Sequence, residues 1–270
     1  MFGKQIGKLF WLVLFLSVMA GKVAADTDDN PCSAGPYGFL ELVNRPTIAD
    51  SPCVVPYKKI LLELGYQYQK LQYQGYAQNA PEAEFRIGLP ANTEFVVLLP
   101  NYIHQTVVPY SGLSATLIGM KHEMAHSKEW VLTADALFTL PSGSAAFGSK
   151  GPGATFSGIM SYDLNKALSL TCMLGASTQT QSSFAGGQRF TSINPDVFLT
   201  WDLKDYLQIY GEIYGQSKTG PHEGSGFNMD GGLIYLASKN LTLDLEAGHR
   251  ISGSLGGLEY YIGTGMAFQF

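Results

Sequence analysis

Residues 258–270 read Leu258-Glu259-Tyr260-Tyr261-Ile262-Gly263-Thr264-Gly265-Met266-Ala267-Phe268-Gln269-Phe270. In an extended chain successive side chains point to opposite faces. Leu258, Tyr260, Ile262, Thr264, Met266, Phe268 and Phe270 therefore share one face, and Glu259, Tyr261, Gly263, Gly265, Ala267 and Gln269 share the other. An apolar face backed by a small and polar one suits a strand standing between lipid and a watery lumen. The same rhythm recurs upstream. Leu241, Leu243, Leu245 and Ala247 oppose Thr242, Asp244, Glu246 and Gly248, and Leu207, Ile209 and Ile213 oppose Gln208, Tyr210, Glu212 and Tyr214.

Working outward, about twelve such runs are predicted, near 57–72, 82–89, 94–103, 112–124, 129–140, 154–164, 168–179, 190–203, 206–217, 226–237, 241–251 and 258–270. Most reach the ~9–11 residues a tilted strand needs to cross a bilayer. Sandwich strands average about 5–6 residues, so a soluble sandwich fits poorly. The connections alternate between tight ones, such as Asn165-Lys166 and Lys204-Asp205, and longer ones rich in Gly, Ser and Pro at 141–153, 180–189 and 218–225. Short turns on one side and longer loops on the other are the outer-membrane pattern. The predicted fold is an all-β, antiparallel, up-and-down transmembrane barrel of about 12 strands covering 57–270.

Composition agrees. Only 14 % of the 270 residues are charged and 31 are glycine, against roughly 25 % charged in soluble domains. After the first segment no window approaches the ~18 consecutive apolar residues of a spanning helix. Residues 1–25 read as a secretory signal: Lys4 and Lys8, then the apolar run 9–20, then Val23-Ala24-Ala25. Without Lys4, Lys8 and Lys22 the net charge moves from −5 to −8, which excludes a nucleic-acid binder with a basic face.

Export places Cys32 and Cys53 in an oxidising compartment, where they form the natural disulfide pair, with two free thiols as the alternative. Cys172 falls within an apolar alternating run. Residues 26–56 carry Pro and Gly without periodicity, and are expected to enter the barrel as a plug or to lie in the periplasm.

Alternation puts Glu63, Arg86, Lys121, Asp135, Asp196 and Asp202 on the lumenal face, and likewise Glu212, Asp230, Asp244, Glu246, Arg250 and Glu259. Glu84 and Asp163 join them. A lipid-facing Arg or Lys would cost about 2–4 kcal/mol at the midplane. Acids outnumber bases, which lowers the barrier for cations; Arg86, Lys121 and Arg250 are expected to pair with carboxylates across the lumen. Tyr210 and Tyr214 share the face of Glu212, while Phe198 and Tyr261 suit an interfacial girdle better.

His122-Glu123-Met124-Ala125-His126 matches the H-E-x-x-H zinc motif, which works on a helix. Here it sits at a strand end, where His122 and His126 would share a face about 13 Å apart. A third ligand is also wanting nearby, so a zinc peptidase is disfavoured. Other twelve-stranded barrels are phospholipases with Ser, His and Asn on the outer wall. His249 is the only outward His well inside a strand, and no Ser segment resembles theirs. No catalytic residue, metal ligand or cofactor site is assigned, and Gly-rich stretches without a following helix are loops rather than phosphate cradles.

The front half resembles a family of bacterial outer-membrane proteins named for the MetA pathway of phenol degradation. The resemblance rests on Arg45-Pro46-Thr47, on Val55-Pro56 leading to Glu63-x-Gly65-Tyr66-x-Tyr68, on Phe85-Arg86-Ile87-Gly88-Leu89 followed by Glu94, and on Gly119-x-Lys121. It implies an outer-membrane transporter for small solutes, aromatic or apolar by the family name. The expected function is passive diffusion of such solutes; the alternative is a sealed structural or surface-interaction barrel. The expected partners are outer-membrane lipid, the solute, and the assembly machinery that reads a terminal strand ending in Phe270.

Overall fold

The computed structural model describes residues 30–33 and 38–270. The segment read as a secretory signal lies outside the described residues. The strands are β1 (Ile60–Leu71), β2 (Tyr76–Ala80), β3 (Glu84–Leu89), β4 (Thr93–Leu98), β5 (Tyr102–Gln105), β6 (Ser111–Leu113), β7 (Leu117–His126) and β8 (Trp130–Thr139). They continue with β9 (Gly153–Asn165), β10 (Leu168–Thr180), β11 (Arg189–Lys204), β12 (Leu207–Gln216), β13 (Gly226–Ser238), β14 (Leu241–Ser252) and β15 (Leu258–Gln269). Neighbours pair antiparallel throughout, and β15 pairs back onto β1 from Leu61↔Gln269 to Leu71↔Leu258. Closure leaves the wall without an edge, the condition for crossing lipid with strands.

These segments make twelve wall strands, because three of them are broken midway. β2 pairs with the upper part of β1 and with β5, while β3 pairs with its lower part and with β4. β2 and β3 are thus two halves of one strand, as are β4 and β5, and β6 and β7. Pro81 and Pro100 fall in two of the breaks; proline has no N–H to give a ladder. The second predicted strand, 82–89, is therefore only the lower half of the real one.

Side chains sort by face as the alternation requires, except that Leu258, expected on the lipid face, is buried beside a register shift that sets Lys70 against Tyr260 but Leu71 against Leu258. Leu174, Ile213, Met229, Leu245, Ile262 and Met266 point outward and are exposed. A continuous apolar surface of this extent belongs in lipid. Inside, an apolar core forms where none is expected of a watery lumen. Phe39, Leu40, Leu42, Val43 and Val55 pack on Leu61, Ile234 and Ala267 of the wall. Residues 38–56 thus lie within the barrel, in the half nearest the tight turns. Cys32 and Cys53 are bonded, with Cα atoms 5.4 Å apart, and staple the base of this inner segment. Its backbone leaves past Gly88, where a Cβ would overlap the carbonyl of Pro56.

Candidate functional site

The lumen and its plug form the site. The plug meets the wall through carboxylates that accept its backbone N–H groups. Glu63 takes those of Asn44 and Arg45 at 3.0 and 2.7 Å, Glu94 takes that of Val55 at 2.6 Å, and Glu212 takes those of Ile48 and Ala49 at 2.9 Å. Donors of the wall reciprocate. Arg86 reaches the carbonyls of Leu42 (2.6 Å) and Cys53 (2.9 Å), and Lys121 reaches that of Ser51 (2.9 Å). A plug without regular secondary structure carries unpaired backbone groups, and burial demands partners for them.

Arg86 and Lys121 are fully buried, so their charges need balance. Arg86 binds Glu94 at 2.8 Å and Glu63 at 3.2 Å, and Lys121 stands directly across the ladder from Glu94 at 3.2 Å. Arg250 pairs with Glu259 at 2.9 Å, between the adjacent β14 and β15. The expectation of pairing across the lumen is corrected: these bridges join neighbouring strands, because a cross-strand carboxylate is within reach while the plug fills the middle. The cation that does bridge the lumen is Arg45 of the plug, which touches Glu82 at 2.7 Å, Asp244 at 3.4 Å and Glu246 at 3.5 Å. Its guanidinium lies over Gly65 and Gly265, which face each other across the β1–β15 seam. Burial works against its charge, but Asp244, Glu82 and Glu246 outweigh this and raise Arg45 above the ordinary arginine value.

The remaining predicted residues also point inward. Asp135, Asp196, Tyr210, Glu212, Tyr214, Asp230, Asp244 and Glu246 are buried, whereas Asp202, Arg250 and Glu259 are half-buried. Phe198 and Tyr261 are buried within the lumen too, not in a girdle. Tyr261 gives its hydroxyl to Asp230 and sits in the space that Gly248 leaves. Sequence reasoning did not place Glu94, Glu123 and Asn228 in the lumen. Glu94 could have been found from pairing alone, since it stands opposite Lys121.

His122 and His126 are on a strand, but not on one face. A bulge between Glu123 and Ala125 absorbs Met124. His122 stays outside against Thr93 at 2.9 Å, and His126 turns inward to Glu123 at 2.6 Å. Asn30 joins Glu123 at 3.1 Å. The two histidines cannot share a metal across the wall.

Beside the plug, near the tight turns, is a cavity of about 120 Å³. Ser161, Asp163, Ser169 and Asp202 line it from β9, β10 and β11, and Glu41 and Pro52 from the plug. Burial first, then Asp202 and Asp163, push Glu41 up to about 8, against a lowering bond from Gln208.

A closed twelve-stranded antiparallel barrel with an apolar outer band and a polar lumen is the fold of an outer-membrane β-barrel protein. The model of the family described as "Putative MetA-pathway of phenol degradation" matches residues 44–260, and the chain belongs to this family. Among solved structures, an outer membrane channel from Pseudomonas putida F1 is similar with a TM-score of 0.68 at 9 % identity, covering 83 % of this chain and 100 % of that one. The NanC porin has a TM-score of 0.54 at 13 % identity, covering 77 % and 98 %. The KdgM porin has 0.54 at 10 %, covering 78 % and 99 %. At these identities the likeness is one of fold. Comparison with curated proteins finds no match.

Proposed function

We propose that this protein is a narrow outer-membrane channel, not an enzyme, through which small solutes pass down their gradient, with its own N-terminal segment as the constriction. The tight-turn end faces the periplasm in this reading, and Phe270 is the signal for the assembly machinery. The observation that carries it is the cavity beside the plug, onto which Glu41, Asp163 and Asp202 face. The plug hydrogen-bonds to β1, β3, β4, β7, β8, β12 and β14, while the cavity is lined by β8, β9, β10 and β11. Aromatic or apolar solutes, suggested by the family name, are supported by the phenol rings of Tyr210, Tyr214 and Tyr261 inside the wall.

The apolar packing of Phe39 to Val43 against the wall favours a second reading, a sealed barrel. Planar-bilayer recording of the refolded mature protein separates the two. The channel reading expects small steps with cation preference, from the excess of lumenal carboxylates. No steps in any salt would establish the sealed barrel instead.

A further inference from the structure

The charges of the lumen are not evenly mixed. Arg86, Lys121 and Arg45 are engaged with Glu63, Glu94, Glu82, Asp244 and Glu246. On the β11–β13 side the inward acids have no such partner. Glu212 and Asp230 oppose each other across the ladder, and Asp196 stands across from Tyr214, the next inward residue of β12. Asp196 is 7 % exposed, yet no donor reaches either of its oxygens, and Oδ1 of Asp230, 9 % exposed, is equally unmet. Asp196 and Asp230 both stand within hydrogen-bonding range of the Glu212 carboxyl, which already accepts from Ile48 and Ala49, so three carboxyls gather with no cation of the described residues among them.

Two neutral side chains point the same way. Asn228 (1 % exposed) and Tyr210 (6 %) flank the Glu212–Asp230 pair on its own face, and Asn228 Oδ1 and the Tyr210 hydroxyl have no partner. Tyr210 lies among Asp230, Glu246 and Glu212. Buried polar atoms without partners are costly; here the oxygens of Asp196, Asp230 and Asn228, acceptors all, gather near the plug's tip, with the Tyr210 O–H able to donate or accept. There Ile48, whose N–H binds Glu212, exposes 47 % of its surface although it lies inside the barrel, so the lumen is open, with an apolar floor, beside the Glu212 carboxyl.

We infer that Asp196, Asp230 and Asn228, with Ile48 beside them, form a seat for a small organic ammonium ion with an apolar body. The ammonium supplies three N–H donors and the charge the carboxylates lack; the body lies on Ile48 with the rings of Tyr214 and Tyr210 near it. The inference deepens the channel reading by naming the class of solute that pauses on the path.

The test is calorimetric titration of the mature protein in detergent with benzylamine, and with benzyl alcohol as its neutral isostere. Benzylamine is expected to bind saturably and at least tenfold more tightly than the alcohol. Asp196→Asn and, separately, Asp230→Asn weaken it tenfold or more, Ile48→Ala weakens it severalfold, and Glu223→Gln in an outer loop leaves it unchanged. Folding of each variant is read from its heat-modifiable gel mobility. Equal binding of amine and alcohol, full affinity in both Asn variants, or saturable binding of calcium ion but not of the amine would each overturn the assignment. Conductance of the same samples is scored separately. Steps without amine binding sink the seat and spare the channel; binding without steps sinks the channel and spares the seat.

Discussion

Replacing Arg86 by Met is the most informative change, because Arg86 ties the plug to the wall from the wall's side. Its five hydrogen bonds divide unequally. Three go to wall carboxylates, two to Glu94 and one to Glu63, and two go to the plug carbonyls of Leu42 and Cys53. Only the last two are lost when the plug leaves, so they set the change in docking. A hydrogen bond to a charged group contributes about 1.5–3 kcal/mol, and the pair therefore contributes about 3 kcal/mol at the low end. At ~1.4 kcal/mol per tenfold, the undocked fraction rises roughly a hundredfold. The barrel itself persists, since Glu94 keeps Lys121, and Glu63 keeps the Asn44 and Arg45 N–H groups while the plug is docked. The β1–β3 ladder also makes no use of the side chain. Two assays read the outcome: protease cleavage within 38–56 of the folded protein, and open probability in planar bilayers. Both should rise by about two orders of magnitude, and Arg86→Lys should fall between, because an ammonium cannot span both carbonyls and both carboxylates as the fork does. Cleavage and open probability within twofold of the parent, in a barrel that still shifts on heating, would refute the assignment of Arg86 as the plug's clasp.

Reducing the Cys32–Cys53 bond opens a loop of 21-residue separation, a loss of about 3 kcal/mol on the chain-entropy account. Dithiothreitol should thus speed cleavage of the plug and leave far-ultraviolet dichroism unchanged. Glu41 gives the docking a pH dependence. Its docked value of about 8 lies above the ordinary 4.5, from burial and then from Asp202 and Asp163, so the docked plug holds more protons than the released one between those values. Docking must weaken as pH rises through that window; Lys166 and Gln208 also stand nearby. Conductance should be larger at pH 8.5 than at pH 5, and Glu41→Gln should flatten the difference. Gly65→Val places branched carbon where the Arg45 guanidinium lies, against side-chain atoms alone, so it should dislodge Arg45 from Asp244 and Glu246. The expected readout is a stronger cation preference in the reversal potential, because two lumenal carboxylates lose their counter-ion.

The wall was legible because a bilayer enforces the alternation residue by residue. Glu259, Tyr261 and Gly263 had to turn inward once Tyr260 and Ile262 met lipid. The breaks at Pro81 and Pro100 were half legible. Proline marks where a ladder stops, but only the pairing of β2 with β5 shows that the strand resumes. The bulge that swings His126 inward left no mark, since a bulge inserts one residue without any composition of its own. The lack of periodicity in 26–56 does not by itself separate a plug from a periplasmic segment, although the wall held a clue. Leu61, Ile234, Leu236 and Ala267 are apolar at positions that alternation assigns to the lumen, and an apolar patch on a watery face calls for something apolar to cover it. Phe39-Leu40-Glu41-Leu42-Val43 is the segment that does so.

The closure of the sheet bears on how such a barrel could work. The seam between β1 and β15 runs from Leu61 to Leu71 through backbone bonds that owe nothing to the plug, and the other ladders are likewise continuous around the wall. Sheet and plug therefore answer to different forces. The sheet is held because unpaired backbone in hydrocarbon is prohibitive. The plug is held by a few buried charges and by five apolar side chains, each contributing about 1.5–3 kcal/mol if fully buried. A perturbation of Arg86, Glu63, Glu94 or Glu212 should consequently move the plug's equilibrium without dissolving the cylinder. On the channel reading, loosening the plug widens the constriction while the wall stays closed. It also explains why the carboxylates are spent on backbone N–H groups of the plug: such bonds hold a chain without regular structure, and water can replace each of them where the plug is loosened.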